Sequence, residues 1–333
     1  PLLIAVAAIA LPNLTSGQTV TSDPVGFETT TILSGRTGGI SLPLDNIADF
    51  AGPVSNHTTN TITTTGATFP SFTSTPHVVR MLAGTSVGRQ FQIASNTATT
   101  ITLTTNLTTI ADGDRYEVIA VHTLLTFFGA GAPTLSHNTA NPADSTVVDN
   151  VLIRGTSGWL TYFYDDVLGR WLRVSGGSTD RGNTTLLLPD QGFLVVRRAA
   201  TDLTLTVTGA VPTTHLVTDL PNNKTTTLPN RFPTATTLAA LGLHNQGAWI
   251  KDTSSASPNP DADDRVLIRG TSGWLSYYYV NQTTPSTLQQ WQRVSGGTAN
   301  RDNTLVDIGT SVLIDRRAGA DIALDQTPPY TLP

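Results

Sequence analysis

Ten consecutive residues occur twice in this chain. Val151-Leu152-Ile153-Arg154-Gly155-Thr156-Ser157-Gly158-Trp159-Leu160 is repeated without change from Val266 to Leu275, 115 positions later. Each copy runs into an aromatic stretch, Tyr162-Phe163-Tyr164 in one and Tyr277-Tyr278-Tyr279 in the other. A second match, Trp171 and Arg173 to Gly177 against Trp291 and Arg293 to Gly297, is offset by 120, so the second copy carries five extra residues in between. The correspondence continues to Arg197-Arg198-Ala199 and Arg316-Arg317-Ala318. A chain that repeats itself at this spacing folds as a tandem duplication of one unit, and each unit must bury its own apolar face or its neighbour's.

The unit is predicted to be β. Only two Lys (Lys224, Lys251) and two Glu (Glu28, Glu117) are present, charged residues are 13%, and Thr occurs 58 times. Threonine is stiff at χ1 and suits strands with a solvated face. Residues 47–121 look different from the repeats. Thr59 to Thr65, His77 to Leu82, Gln90 to Ala94, Ile101 to Thr105 and Arg115 to Ala120 alternate as about five short strands separated by turn signals. The apolar turn Leu125 to Gly129 matches Leu238 to Gly242 at offset 113, and Leu42-Pro43 matches Leu228-Pro229 at offset 186. The difference is about the length of that segment, which therefore reads as an insertion in the first unit. The expected architecture is all-β: two tandem homologous β-sandwich-like units, an inserted small antiparallel β domain, and an N-terminal donor strand. The domains are 1–22 (apolar strand and linker), 23–208 (first unit, interrupted by 47–121) and 209–333 (second unit).

The donor strand is read from Leu2 to Leu11. Leu2, Leu3, Ile4, Val6, Ile9 and Leu11 make both faces of an extended segment apolar, as in a strand buried on both sides. Burying six such side chains is worth roughly 9–18 kcal/mol gross. The run is too short to span a bilayer as a helix. A secretory signal core and a strand inserted in the chain's own fold share this pattern. A polar linker, Asn13 to Ser22, follows it. An apolar strand on a polar linker is what donor-strand exchange requires, each subunit completing the sheet of the next. Such a head-to-tail contact does not close and builds a filament.

Asp23-Pro24-Val25-Gly26-Phe27, with the later Gly158-Trp159 strand and the Arg197-Arg198 strand end, resembles an uncharacterised family of secreted bacterial, verrucomicrobia-type β-rich proteins. The resemblance runs over Asp23 to Arg198 and implies export and β structure, with no activity attached.

Candidate chemistry is sparse. Net charge is −5 and no Lys/Arg cluster occurs, which argues against nucleic acid. Cysteine is absent, so disulfides and Cys metal sites are excluded. Gly84-Thr85-Ser86-Val87-Gly88 fits the nucleophile-elbow pattern, but Arg89 to Ala94 alternates as a strand where that elbow needs a helix. The six His (His57, His77, His122, His137, His215, His244) show no metal-ligand spacing. Asp261, Asp263 and Asp264 form a carboxylate cluster whose hard oxygens suit calcium, against the plainer reading of a solvated turn. Trp159, Tyr162, Trp274 and Tyr277 are candidates for stacking on sugar rings, against a core role for aromatics that recur in both units. The expected function is a non-enzymatic, extracellular or cell-surface filament subunit whose partners are other copies of itself. The alternative is a secreted adhesin or glycan-binding module with a polysaccharide partner.

Overall fold

The computed structural model describes residues 24–330 apart from 108, 138–143, 254–259 and 284–286. The donor strand read at Leu2, Leu3, Ile4, Val6, Ile9 and Leu11 lies outside the described residues. The chain is all-β with several antiparallel sheets of sandwich type, 42% strand and 3% helix.

In the first repeat five strands lie side by side in the order Arg170–Arg173, Trp159–Asp165, Asn150–Arg154, Phe193–Val196, Thr37–Ile40. Two short ribbons accompany them, Val25–Ile32 with Leu203–Ala210 and His122–Thr123 with Leu186–Leu187. The second repeat has the same pairing strand for strand. Leu288–Arg293, Trp274–Gln282, Arg265–Arg269, Ser311–Asp315 and Thr225–Pro229 form the sheet. Leu216–Leu220 with Ile322–Gln326 and Thr236–Thr237 with Leu305–Val306 form the ribbons. Alternation explains the layers. In Leu203–Ala210, Leu203, Leu205 and Val207 are buried while Thr204, Thr206 and Thr208 face solvent. In the paired hairpin strands Tyr162 and Tyr164, or Tyr277 and Tyr279, point into the main core around Trp171 or Trp291.

Strand register corrects two sequence correspondences. Ile40 pairs with Phe193 and Leu228 with Val312, which occupy the same place in the two sheets. Ile40 is thus the counterpart of Leu228, at offset 188, and Leu42-Pro43 lies just beyond the strand that Leu228-Pro229 belongs to. Likewise Thr123 accepts a hydrogen bond from Thr126 N at the start of the Leu124–Phe128 helix, and Thr237 accepts one from Ala240 N (3.2 Å), an offset of 114.

Between Thr37–Ile40 and His122–Thr123 the first repeat carries a seven-stranded antiparallel sheet where about five strands were expected. Its order is Ala48–Pro53, Arg115–Ala120, His77–Met81, Gln90–Asn96, Thr100–Leu103, Thr61–Thr63, Asn56–His57. This sheet has a core of its own, with Ile62, Phe69, Phe72, Val79, Ile101 and Tyr116 among its members.

The three sheets meet at Asp45. Its carboxylate is buried and accepts from Arg80 Nη1 of the seven-stranded sheet (2.5 Å) and from Arg231 Nη2 of the second repeat. Arg80 Nε also donates to Glu117 (2.6 Å), and Arg231 Nη1 to the Leu42 carbonyl. Burial alone would raise the Asp45 pKa, but Arg231 and Arg80 outweigh it and hold the carboxyl below the usual range.

The two repeats pack on one another crosswise. Thr227 Oγ1 donates to the Gly192 carbonyl (2.6 Å), and a Cβ on Gly39 would collide with the Ser311 carbonyl. Gly39 is the counterpart of Thr227, and Gly192 of Ser311, so the same two positions touch in both directions, as across a two-fold axis. Gly39 is required there because the backbones approach too closely for any side chain.

Candidate functional site

The carboxylates read as a calcium cluster do not converge. Asp264 is buried and holds Arg316: Arg316 Nε donates to Oδ2 (2.9 Å), Arg317 N to Oδ1 (2.6 Å) and Ile250 N to Oδ2 (2.9 Å). Three more N–H groups of the Arg316 guanidinium donate to the Leu220, Ala248 and Ala320 carbonyls. The first repeat has the same arrangement. Asp149 accepts from Arg197 Nη1, Arg198 N (2.6 Å) and Ser136 N (2.7 Å). The Arg-Arg strand ends are therefore internal clamps. Asp261 is exposed and pairs with Arg265. Among the described residues no group of three or more His, Asp or Glu is placed to hold a metal ion.

Asp263 sits elsewhere, in a small buried set with Tyr278 and Gln292, whose side chains are hydrogen-bonded to each other (3.1 Å). The first repeat fills the equivalent positions with Val148, Phe163 and Leu172, a small apolar cluster. Asp263 is only 5% exposed and its Oδ2 has no partner among the described residues. Burial first, then the charges of Asp252 and Asp264, push its pKa up to about 7. The folded protein therefore keeps this proton up to about pH 7, whereas the unfolded chain gives it up near pH 4. The associated stability is fully present below about pH 4 and is lost as pH rises towards 7. Asp263→Asn is expected to gain up to about 4 kcal/mol on the parent between pH 4 and pH 8. Urea titrations across that range check it, and a pH-independent difference between variant and parent contradicts it.

The sugar-stacking platform is corrected by burial. Tyr162 and Tyr277 belong to the two main cores and present no face to a ligand. The alternation separated them from the Trp face, but only packing shows which face turns inward. Trp159 and Trp274 are half-buried at the start of the hairpin strands. Ser86 is buried in a turn with its Oγ on Thr109, so the elbow pattern has no nucleophile. His57, His77, His137 and His215 each pair with a single Asp.

The identical ten residues occupy equivalent hairpins. Gly155 N donates to the Gly158 carbonyl and Gly270 N to the Gly273 carbonyl, both at 2.8 Å. A Cβ on Gly155 or Gly270 would press on Leu160 or Leu275. Packing thus accounts for the glycines and apolar members. It places no demand on the exposed tips, Thr156-Ser157 and Thr271-Ser272. Each tip lies on a groove formed with the opposite repeat. One groove, of about 290 Å³, brings Arg269 and Thr271 to Arg36, Thr31, Leu33 and Leu305. The other, of about 330 Å³, brings Arg154 and Thr156 to Lys224, Asp219 and Asp190. Arg36 and Lys224 are equivalent: their carbonyls accept from Arg197 N (2.7 Å) and Arg316 N (3.0 Å). The grooves are therefore two versions of one site. Their cations escaped sequence reasoning because Arg36 and Lys224 stand alone in the chain, and only the packing of one repeat on the other brings each to an Arg-Gly-Thr tip.

No family model matches the chain. No curated protein and no solved structure matches it either. Among the described residues no helix is long and apolar enough to cross a membrane.

Proposed function

We propose that this protein is a non-catalytic subunit of an extracellular, head-to-tail assembly, in which the apolar segment Leu2 to Leu11 of one copy docks on the Val25–Ile32 and Leu203–Ala210 ribbon of the next. The observation that carries this reading is the state of that ribbon. Among the described residues it has two strands, and Val25 and Phe27 on its outer side are 67% and 75% exposed. Unpaired strand edges with exposed apolar side chains recruit further strands. The corresponding ribbon of the second repeat instead presents the exposed Asp219 and Asp325 on its outer side, each ion-paired to a basic side chain. An apolar strand has reason to choose the first ribbon. Between Pro12 and Pro24 an extended chain spans up to ~40 Å, enough to reach a neighbouring molecule.

Sedimentation velocity over a range of concentrations tests the reading. The intact chain is expected to form polymers that grow with concentration, and the chain lacking residues 2–11 to remain monomeric throughout. An intact chain that stays monomeric at every concentration overturns it.

A further inference from the structure

We propose that the groove of Arg36 and Arg269 binds an acidic polysaccharide through its carboxylate groups. This groove borders the ribbon assigned to assembly, sharing Thr30 to Ile32 at the end away from Val25 and Phe27, and its ligand binding is read independently of polymerisation.

Most arginines facing the interior or the seams are neutralised: Arg80, Arg89, Arg197, Arg231, Arg265, Arg316 and Arg317 all hold carboxylates. Arg36 and Arg269 line one groove, and neither guanidinium has a hydrogen bond or ion pair among the described residues. Both are positioned from behind. The turn before Arg36 is pinned by Ser34 N donating to Asp202 (2.8 Å), and Arg269 lies 5.9 Å from the Trp274 ring centroid. Burial, and then the charge of Arg36, lower the pKa of Arg269. Two like charges are held near one another, and an oxyanion between them relieves the repulsion. One carboxylate, Asp307, lines the same groove, leaving a net positive site.

The rest of the lining selects the ligand class. Thr31, Thr37, Thr271 and Thr310 offer hydroxyls, and the exposed Leu33 and Leu305 offer apolar surface to a ring face. The volume is near the small end of the ~300–1,000 Å³ range of small-molecule sites. Two cations are too few to track a nucleic-acid backbone, which takes a stripe of them. Hydroxyls, an apolar rim and a pair of guanidiniums suit a uronate residue in a saccharide chain.

The second groove is an internal control with the same hairpin tip. There Lys224 already donates to the Thr156 carbonyl (3.3 Å). Asp219, paired with Arg89, stands in the position of Thr31, and Asp190 in that of Gly309, so this groove holds two carboxylates where the first holds Asp307 alone.

Calorimetric titration of the full chain with galacturonate oligosaccharides at low salt is the test, with neutral galactan oligosaccharides of the same length beside it. The uronate is expected to bind saturably and the neutral chain not to bind. Arg36→Ala and Arg269→Ala are each expected to weaken binding at least tenfold. Arg154→Ala, at the equivalent position of the other groove, is expected to leave it unchanged. Thr31→Asp, which gives the first groove the acid of the second, is expected to weaken binding like the arginine changes while keeping both arginines. Absence of uronate binding, equal binding of the neutral oligosaccharide, or binding indifferent to Arg36→Ala and Thr31→Asp overturns the proposal. A sulfated oligosaccharide that binds where the uronate does not overturns the carboxylate assignment.

Discussion

Asp45→Ala is expected to destabilise the protein by about 3–5 kcal/mol, more than any other single truncation on the surface between the three sheets. The reason is what it leaves behind. Arg80 and Arg231 come from different sheets and both are buried against this one carboxylate. Without it, Arg80 keeps Glu117 and Arg231 keeps the Leu42 carbonyl as its hydrogen-bond partner, so a fully buried guanidinium loses the carboxylate bonded to it. Removing one member of a buried ion set costs far more than the set contributes, because the remaining charge cannot return to water without unfolding. The same carboxyl sets an acid limit. Its pKa is depressed in the folded state, so its contribution is present above the ordinary carboxylate range and is lost as pH falls through the folded value. Chemical denaturation of parent and variant at pH 7 and pH 3 checks both points. The gap between them should be widest at pH 7 and should begin to shrink at pH 3, below the ordinary carboxylate range.

Asp264→Ala and Asp149→Ala are each expected to cost about 3–5 kcal/mol, and to cost nearly the same as one another. Each carboxylate neutralises one buried arginine and accepts two backbone N–H groups, Arg317 and Ile250 in one repeat, Arg198 and Ser136 in the other. The three groups hydrogen-bonded to Asp264 are all donors. An Asn in place of Asp264 would turn an NH₂ towards a donor, so Asp264→Asn should recover little of the loss. Urea midpoints of the three variants settle it. An Asp264→Asn chain as stable as the parent would mean that charge and acceptor count are not what hold the strand end.

Much of the layer pattern was readable before folding. The Leu-Thr-Leu-Thr-Val-Thr run at Leu203 to Thr208 declares its buried and solvated faces by alternation, and the copied hairpin declares the duplication. The seven-stranded sheet was undercounted because Asn56–His57 is two residues long and Ala48–Pro53 ends in Gly-Pro, which carry little strand signal. Asp45 and Arg231 were invisible for a different reason. They lie 186 positions apart, and an isolated charge in a sequence reads as a solvated one until tertiary packing closes over it. The clamp did leave a trace. Asp149 and Asp264 occupy matching positions, as do Arg197 and Arg316, and a repeated Asp with a repeated Arg is better explained by a pair than by a cation site. Comparison of the copies would also have exposed the change from Val148, Phe163 and Leu172 to Asp263, Tyr278 and Gln292.

Assembly is tested most directly by supplying the strand in trans. A peptide of residues 1–14 in excess should occupy the Val25–Ile32 and Leu203–Ala210 ribbon, bind the chain lacking residues 2–11 one to one, and stop growing polymers of the intact chain from lengthening. Polymers that lengthen at the same rate in saturating peptide would contradict strand exchange between molecules.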